Sequence, residues 1–456
     1  AGFDAVCGGR DSGVAERDGA RLGPDEMRMG LLPAIAAVLI AITPADRAAA
    51  SAHYNAGLAR GQELRFLWQP SMDADLMPAV MYQVVASSRS ALIDGTVPVR
   101  VPGTNMLAVD LNALSWDVDD WQAVFGYEHN GYTSKANPLI IPAGFFLNEV
   151  ADGRESSAYL RFVFSGKVPK TEDEFLAAFG IDRKKQNGLQ FGWIEADSAV
   201  NLTKDGARLV EHNDGTNASA WVTYDTAKVQ AGADPLQGLF AGKFKHDASE
   251  FFVLSPKVST DGTRGVFPFT GLADGAGRIT AEAPASIVAD HTETFGDSII
   301  ANPGSCVSCH NDGPKQQGLN ALRDRLKAGV ELKTYEQQKQ IAADLYHLGE
   351  VGTALDRWRE DYTVALKAVN GLTPLENATA YRAAIAKYRA DVTLPVAAAE
   401  LSVEPETLRL AIAWASKNYV DVQARTAGLA HDRSMPRSAF EGEYLKLQSY
   451  LEAFAR

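Results

Sequence analysis

Cys306-Val307-Ser308-Cys309-His310 is the feature that most constrains this chain. Two thiols three positions apart, with an imidazole directly after the second, form the C-x-x-C-H pattern at which haem is covalently attached in c-type cytochromes. Each thiol can form a thioether with one haem vinyl group, and His310 then becomes the proximal axial ligand of the iron. Three plainer readings compete with this one. A structural zinc site needs two further Cys or His ligands, and the sequence holds no second C-x-x-C and no H-x(3-5)-H. A thioredoxin-like dithiol follows a buried strand, whereas Asn302-Pro303-Gly304-Ser305 reads as a loop. A chance match or a simple disulfide is the third. The covalent cofactor, one haem c, is the favoured expectation.

Export strengthens that expectation. Met27-Arg28-Met29-Gly30 opens a basic segment, Leu31 to Ile42 is a compact apolar run, and Ala48-Ala49-Ala50 or Ala50-Ser51-Ala52 supplies an A-x-A cleavage site. Residues 27–52 therefore read as a secretory signal peptide, the apolar run being shorter than the roughly twenty residues of a membrane span. Cleavage would leave no membrane span, and a periplasmic or otherwise exported bacterial location follows. Residues 1–26 lie upstream of an initiator candidate, Met27, and read as an over-extended frame. With them would go Cys7, so the mature chain would keep only the two thiols that a haem consumes.

A chain of 456 residues, 46% hydrophobic and 22% charged, buries a substantial core in two or three domains. Its formal net charge of −13 excludes a general nucleic-acid binder and is compatible with a cationic redox partner protein.

The fold class expected is an α+β N-terminal region, residues 53–300, followed by an all-α, cytochrome c-like haem domain, residues 301–456. In the first part, Asn105 to Leu111, Pro138 to Pro142, Ser219 to Asp225 and Glu250 to Ser255 read as strands. Thr171-Glu172-Asp173-Glu174 reads as a capping box opening a helix through Phe179, and Asp274-Gly275 as a hairpin turn. After His310, the segments Leu319 to Val330, Tyr335 to Leu348, Leu355 to Val369, Ala380 to Ala390, Glu406 to Lys417 and Phe440 to Phe454 carry apolar faces of helical period. Pro405 suits a first helical turn, and Ser438 with Glu441 reads as a second capping box. Packed helices supply the water-excluding crevice a haem needs.

Several segments together resemble a family of large exported cytochrome c-like proteins common in planctomycetes and related bacteria. They are Leu114 to Trp116 with Asp119-Asp120-Trp121, Phe175 to Asp182, Ala199 to Glu211, Ala220 to Asp225, and His246-Asp247 with Glu250-Phe251-Phe252. Gly271 to Gly277, Ala283 to Val288, Ala398 to Leu401 and Pro436 to Glu441 complete the set. The resemblance spans most of residues 60–456 and departs at Leu254-Ser255-Pro256-Lys257 and at Thr226. It implies a fold and a cofactor, and no reaction.

The sixth iron ligand is open in the sequence. Met435 is the sole methionine beyond His310 and is also placed as a hydrophobic staple. His347 sits on a helical face beside Leu345 and Leu348 and reads equally as a core histidine. His246, beside Asp247, is the N-terminal candidate that the resemblance favours. His53, His129, His212, His291 and His431 have no supporting pattern. Two functions stay open: an electron carrier with a six-coordinate iron, or a haem enzyme of peroxidase type or a haem-based sensor with an open distal site. There is no G-x-S-x-G, Walker A or H-E-x-x-H sequence, and the Asp-Gly pairs at 214, 261 and 274 match no complete calcium loop.

Overall fold

The computed structural model describes residues 44–69, 76–94, 96–126, 132, 139–183, 191–195, 207–215, 217–226, 246–310, 353, 355–401, 403–419, 422 and 424–455. A helix, Pro44–Leu58, leads into a four-stranded sheet of β1 (Leu64–Trp68), β2 (Val99–Arg100), β3 (Met106–Asp110) and β4 (Ile140–Pro142) in the order β2-β3-β1-β4. Strand β1 runs antiparallel to β3 and parallel to β4. Both candidate A-x-A sites lie within or across the first helix, whose Ala50 is buried with Leu64, Phe66 and Trp68 on one face of this sheet.

The second sheet is an antiparallel meander of six strands: β5 (Phe191–Glu195), β6 (Ala207–Asp214), β7 (Ser219–Thr226), β8 (Ala248–Val258), β9 (Arg264–Asp274) and β10 (Ile279–Thr280). The strands expected at 105–111, 138–142, 219–225 and 250–255 are all present, β8 running longer at both ends. The turn after Asp274 closes as read: its carboxylate accepts from the Ala276 and Arg278 amides, and Gly277 takes φ +73°. Phe251 faces Phe175 at 4.7 Å, docking the helix Glu172–Ala177 on one side of β8, while Glu250 and Phe252 point to the other.

The C-terminal residues are helical: 355–370, Pro374–Arg389, Leu394–Glu400, Pro405–Asn418, Ala424–Leu429 and Arg437–Phe454. The helices expected at 319–330 and 335–348 lie outside the described residues. The expectation of a separate all-α, cytochrome c-like haem domain is overturned. One contiguous apolar core runs from Leu67 through Phe251, Cys306 and Tyr381 to Tyr450. Pro374–Arg389 packs against two N-terminal helices, Leu76–Ala86 and Ala143–Ala151, and against the turn Gly304–Cys309 that carries the cysteines. The physical reason is that helical periodicity marks a face that must be buried without naming what buries it. Here sheet strands and N-terminal helices do so. No helix among the described residues is long and apolar enough to cross a membrane.

Two cap assignments also change. Ser438 does not cap: Arg437–Phe454 has Pro436 at its N-cap, two residues earlier, because Arg437 is fixed by buried partners described below. An unforeseen capping box forms at Thr373-Pro374-Leu375-Glu376, with Thr373 and Glu376 exchanging hydrogen bonds.

Candidate functional site

The Cys306 turn is assembled from the β8–β9 hairpin outward. Thr270 on β9 pairs with Phe252 on β8, and its hydroxyl donates to Asn302 Oδ1 at 2.5 Å, while Asn302 Nδ2 donates to the Thr270 carbonyl at 3.2 Å. This clasp pins the chain immediately before the short helix Gly304–Cys309. Ser305 Oγ accepts from the Ala301 amide, and Ser308 Oγ donates to the Gly304 carbonyl, closing the turn on itself. Gly304 is required by close approach: a Cβ there would lie 2.4 Å from the Phe295 ring and 3.0 Å from the Ala151 carbonyl oxygen. Arg382, on Pro374–Arg389, donates to the Ser308 carbonyl at 3.3 Å and places a cation at the C-terminal end of the turn.

Cys306, Cys309 and His310 stand at i, i+3 and i+4, so the turn directs them to one face. The His310 amide donates to the Cys306 carbonyl at 2.8 Å, holding the imidazole in this register. Cys306 is 1% exposed, and its thiol lies 3.9 Å from Asn302 Oδ1. Burial first, and then the charge and hydrogen bond of Glu250, push the thiol well above its ordinary range, so it is held protonated. No disulfide joins Cys306 to Cys309. The His310 ring lies 4.3 Å from the Phe252 ring, tilted by 49°. Glu250 and Phe252 are two apart on β8, so the face bearing Cys306 and His310 is laid on one face of that strand.

The other expected ligands are elsewhere. His246 precedes β8; its ring packs on Tyr224 at 4.8 Å, and its Nε2 is buried without a hydrogen-bond partner. Burial lowers its pKa, the neighbouring Glu172 charge opposing. Four strand residues, about 13 Å, separate Ala248 from Phe252, where His310 sits. Met435 is fully buried and exchanges backbone hydrogen bonds with Val392 at 2.7 and 3.0 Å. Val392 follows the C-terminal end of the helix whose Arg382 reaches the cysteine turn, so Met435 belongs to the far end of that helix. His347 lies outside the described residues. His212 takes a structural place, its Nε2 2.6 Å from Ser219 Oγ and its ring 4.2 Å from Trp221.

Two buried polar clusters were not read from the sequence as clusters, although Glu211, Tyr224, Glu400 and Arg437 lie in segments that carry the family resemblance. In the first, Arg183 binds Glu172 and donates to the Tyr224 hydroxyl at 2.5 Å. Tyr224 donates to Glu211 at 2.6 Å, and Ser249 donates to Glu172 at 2.7 Å. In the second, Arg437 makes a two-oxygen contact with Glu400 at 2.7 and 2.9 Å, donates to the Tyr388 carbonyl at 2.8 Å, and lies 4.4 Å over the Tyr388 ring. The partners come from different elements, which single-segment patterns do not register.

No family model, curated protein or solved structure matches the chain. Among the described residues no three His, Cys, Asp or Glu side chains gather as they would around a metal ion. A porphyrin brings four nitrogen ligands of its own and asks the protein only for axial donors, of which His310 is one. The two-thiol and imidazole donor set on a single turn fits that group.

Proposed function

We propose that the protein is an exported, periplasmic monohaem c-type cytochrome-like protein that transfers electrons to or from a redox partner protein, and that it belongs to the family it resembles. The observation that carries the reading is the common face of Cys306, Cys309 and His310. When bound, the haem supplies one-electron chemistry at its iron. Cys306 and Cys309 would hold it through thioethers, and His310, whose ring lies against Phe252, would ligate the iron. The burial of Cys306 keeps water from its sulfur, and Arg382 secures the turn that carries both thiols. The acidic balance of the chain favours a cationic partner.

A second reading, a peroxidase-like haem enzyme or haem-based sensor with an open distal side, is favoured by the positions of Met435 and His246. Neither described candidate for the sixth ligand accompanies His310. Carbon monoxide binding separates the two: a six-coordinate, low-spin iron that ignores it is a carrier, and a high-spin iron that binds it belongs to the second class.

The covalent assignment is tested by haem staining of a denaturing gel of protein exported from cells carrying the cytochrome c maturation system. The wild type is expected to stain and Cys306→Ala/Cys309→Ala not to. An exported, folded wild type that does not stain removes the redox reading altogether.

A further inference from the structure

The tyrosines beside the Glu400–Arg437 pair are arranged for more than packing. A phenol in an apolar core needs a hydrogen-bond acceptor, and phenylalanine would fill the same space without that need. Here two adjacent phenols sit beside two carboxylates, the buried Glu400 and the half-buried Glu441. Tyr388 donates to Glu441 Oε1 at 2.6 Å, and Arg437 Nη1 donates to both Tyr132 and Glu400. The two hydroxyls are 3.3 Å apart, and Arg437 donates to Tyr132 at 3.1 Å.

The pair is connected in both directions. Tyr381 is seven residues before Tyr388 on the same helical face, about 10 Å along the axis. It packs in the same apolar core as Cys306, and the next residue, Arg382, bonds the cysteine turn. On the other side, the Tyr132 ring lies 4.7 Å from Tyr444. Farther along that helix Tyr450 stacks on the exposed Tyr419 at 5.6 Å.

We propose that Tyr388 and Tyr132 form a one-electron redox site, a tyrosyl radical centre in communication with the Cys306–His310 turn, and that its oxidant is a peroxide reacting at the haem. The site rests on the second haem reading, the one with an open distal side, for its oxidant and on the phenol–carboxylate geometry for its chemistry. In the step, the O–O bond of hydrogen peroxide breaks and takes up two electrons and two solvent protons to give two waters. One electron would be supplied by a bound haem. The other comes from Tyr388, whose hydroxyl proton passes to Glu441 along the 2.6 Å hydrogen bond, leaving a neutral phenoxyl radical and a carboxylic acid. Burial raises the Glu441 carboxyl, which makes it the better proton acceptor.

The test has two arms on the full-length chain. In the first, haem-loaded protein is mixed with hydrogen peroxide, freeze-quenched and examined by electron paramagnetic resonance. The wild type is expected to give a narrow organic radical signal that Tyr388→Phe abolishes and Tyr132→Phe reshapes. In the second, the chain without haem is oxidised by azide radicals from pulse radiolysis, each taking one electron to become azide. A long-lived phenoxyl absorption is expected that Tyr388→Phe removes and Glu441→Gln shortens, with circular dichroism of both variants unchanged. Signals of unchanged yield, shape and lifetime in Tyr388→Phe overturn the radical site. Loss of haem staining with the azide result intact overturns the covalent-haem reading alone.

Discussion

At the scale of single residues, the interior of the second sheet holds a lysine in place of an apolar side chain. Lys257 on β8 is 1% exposed and donates to the Ser88 and Ser90 carbonyls at 2.6 and 2.9 Å, over the Phe267 and Phe269 rings. Burial pushes its ammonium from 10.5 down to about 7. Between those values the unfolded chain binds a proton that the folded chain does not, so stability rises as pH climbs through that window and is lost as pH falls towards about 7. Thermal unfolding across this range is expected to show the slope, and Lys257→Met to flatten it. Equal slopes in both proteins would mean that the amine stays charged when folded. Lys257 was legible in the sequence only as a departure from the family pattern, because a charged residue in a strand gives no sign of which face it occupies. Cys306, Cys309 and His310 stood out in the sequence, since their spacing is itself a motif. Glu250 and Phe252 were visible as a motif but not as the surface on which that turn lies, because the pairing is across nearly sixty residues of chain.

At the scale of elements, the buried Arg437–Glu400 pair joins the start of Arg437–Phe454 to the end of Leu394–Glu400. Removing one partner strands the other charge in the core, so Arg437→Leu is expected to cost about 3–5 kcal/mol in denaturant unfolding. The double variant Arg437→Leu/Glu400→Leu should recover part of that loss, and a double variant as unstable as the sum would refute the pairing as the source. Thr373→Ala, which removes the capping box, should cost about 0.5–2 kcal/mol in the same assay. Strands β3, β7 and β8 were readable because apolar runs bounded by turn residues leave few alternatives. The Ser438 cap failed because Arg437, drawn inward by Glu400, sets the helix start before local capping preference can act.

At the scale of the whole molecule, the C-terminal helices complete a core begun by the N-terminal helices and the six-stranded sheet. The sequence revealed that the helices exist, from their period, and concealed their partners, because an apolar face is equally served by a haem, another helix or a sheet. A chain of residues 301–456 expressed alone is therefore expected not to fold cooperatively, whereas residues 53–456 should unfold in a single transition. A sharp, independent transition in the shorter chain would restore the separate domain that the shared core excludes. The most direct measurement of the central claim is the mass of the tryptic peptide containing Cys306 to His310, taken from exported protein after acid–acetone extraction of loose haem. One haem added through both sulfurs, with no free thiol left on that peptide, is the predicted result; an unmodified peptide from a folded, exported chain would contradict it.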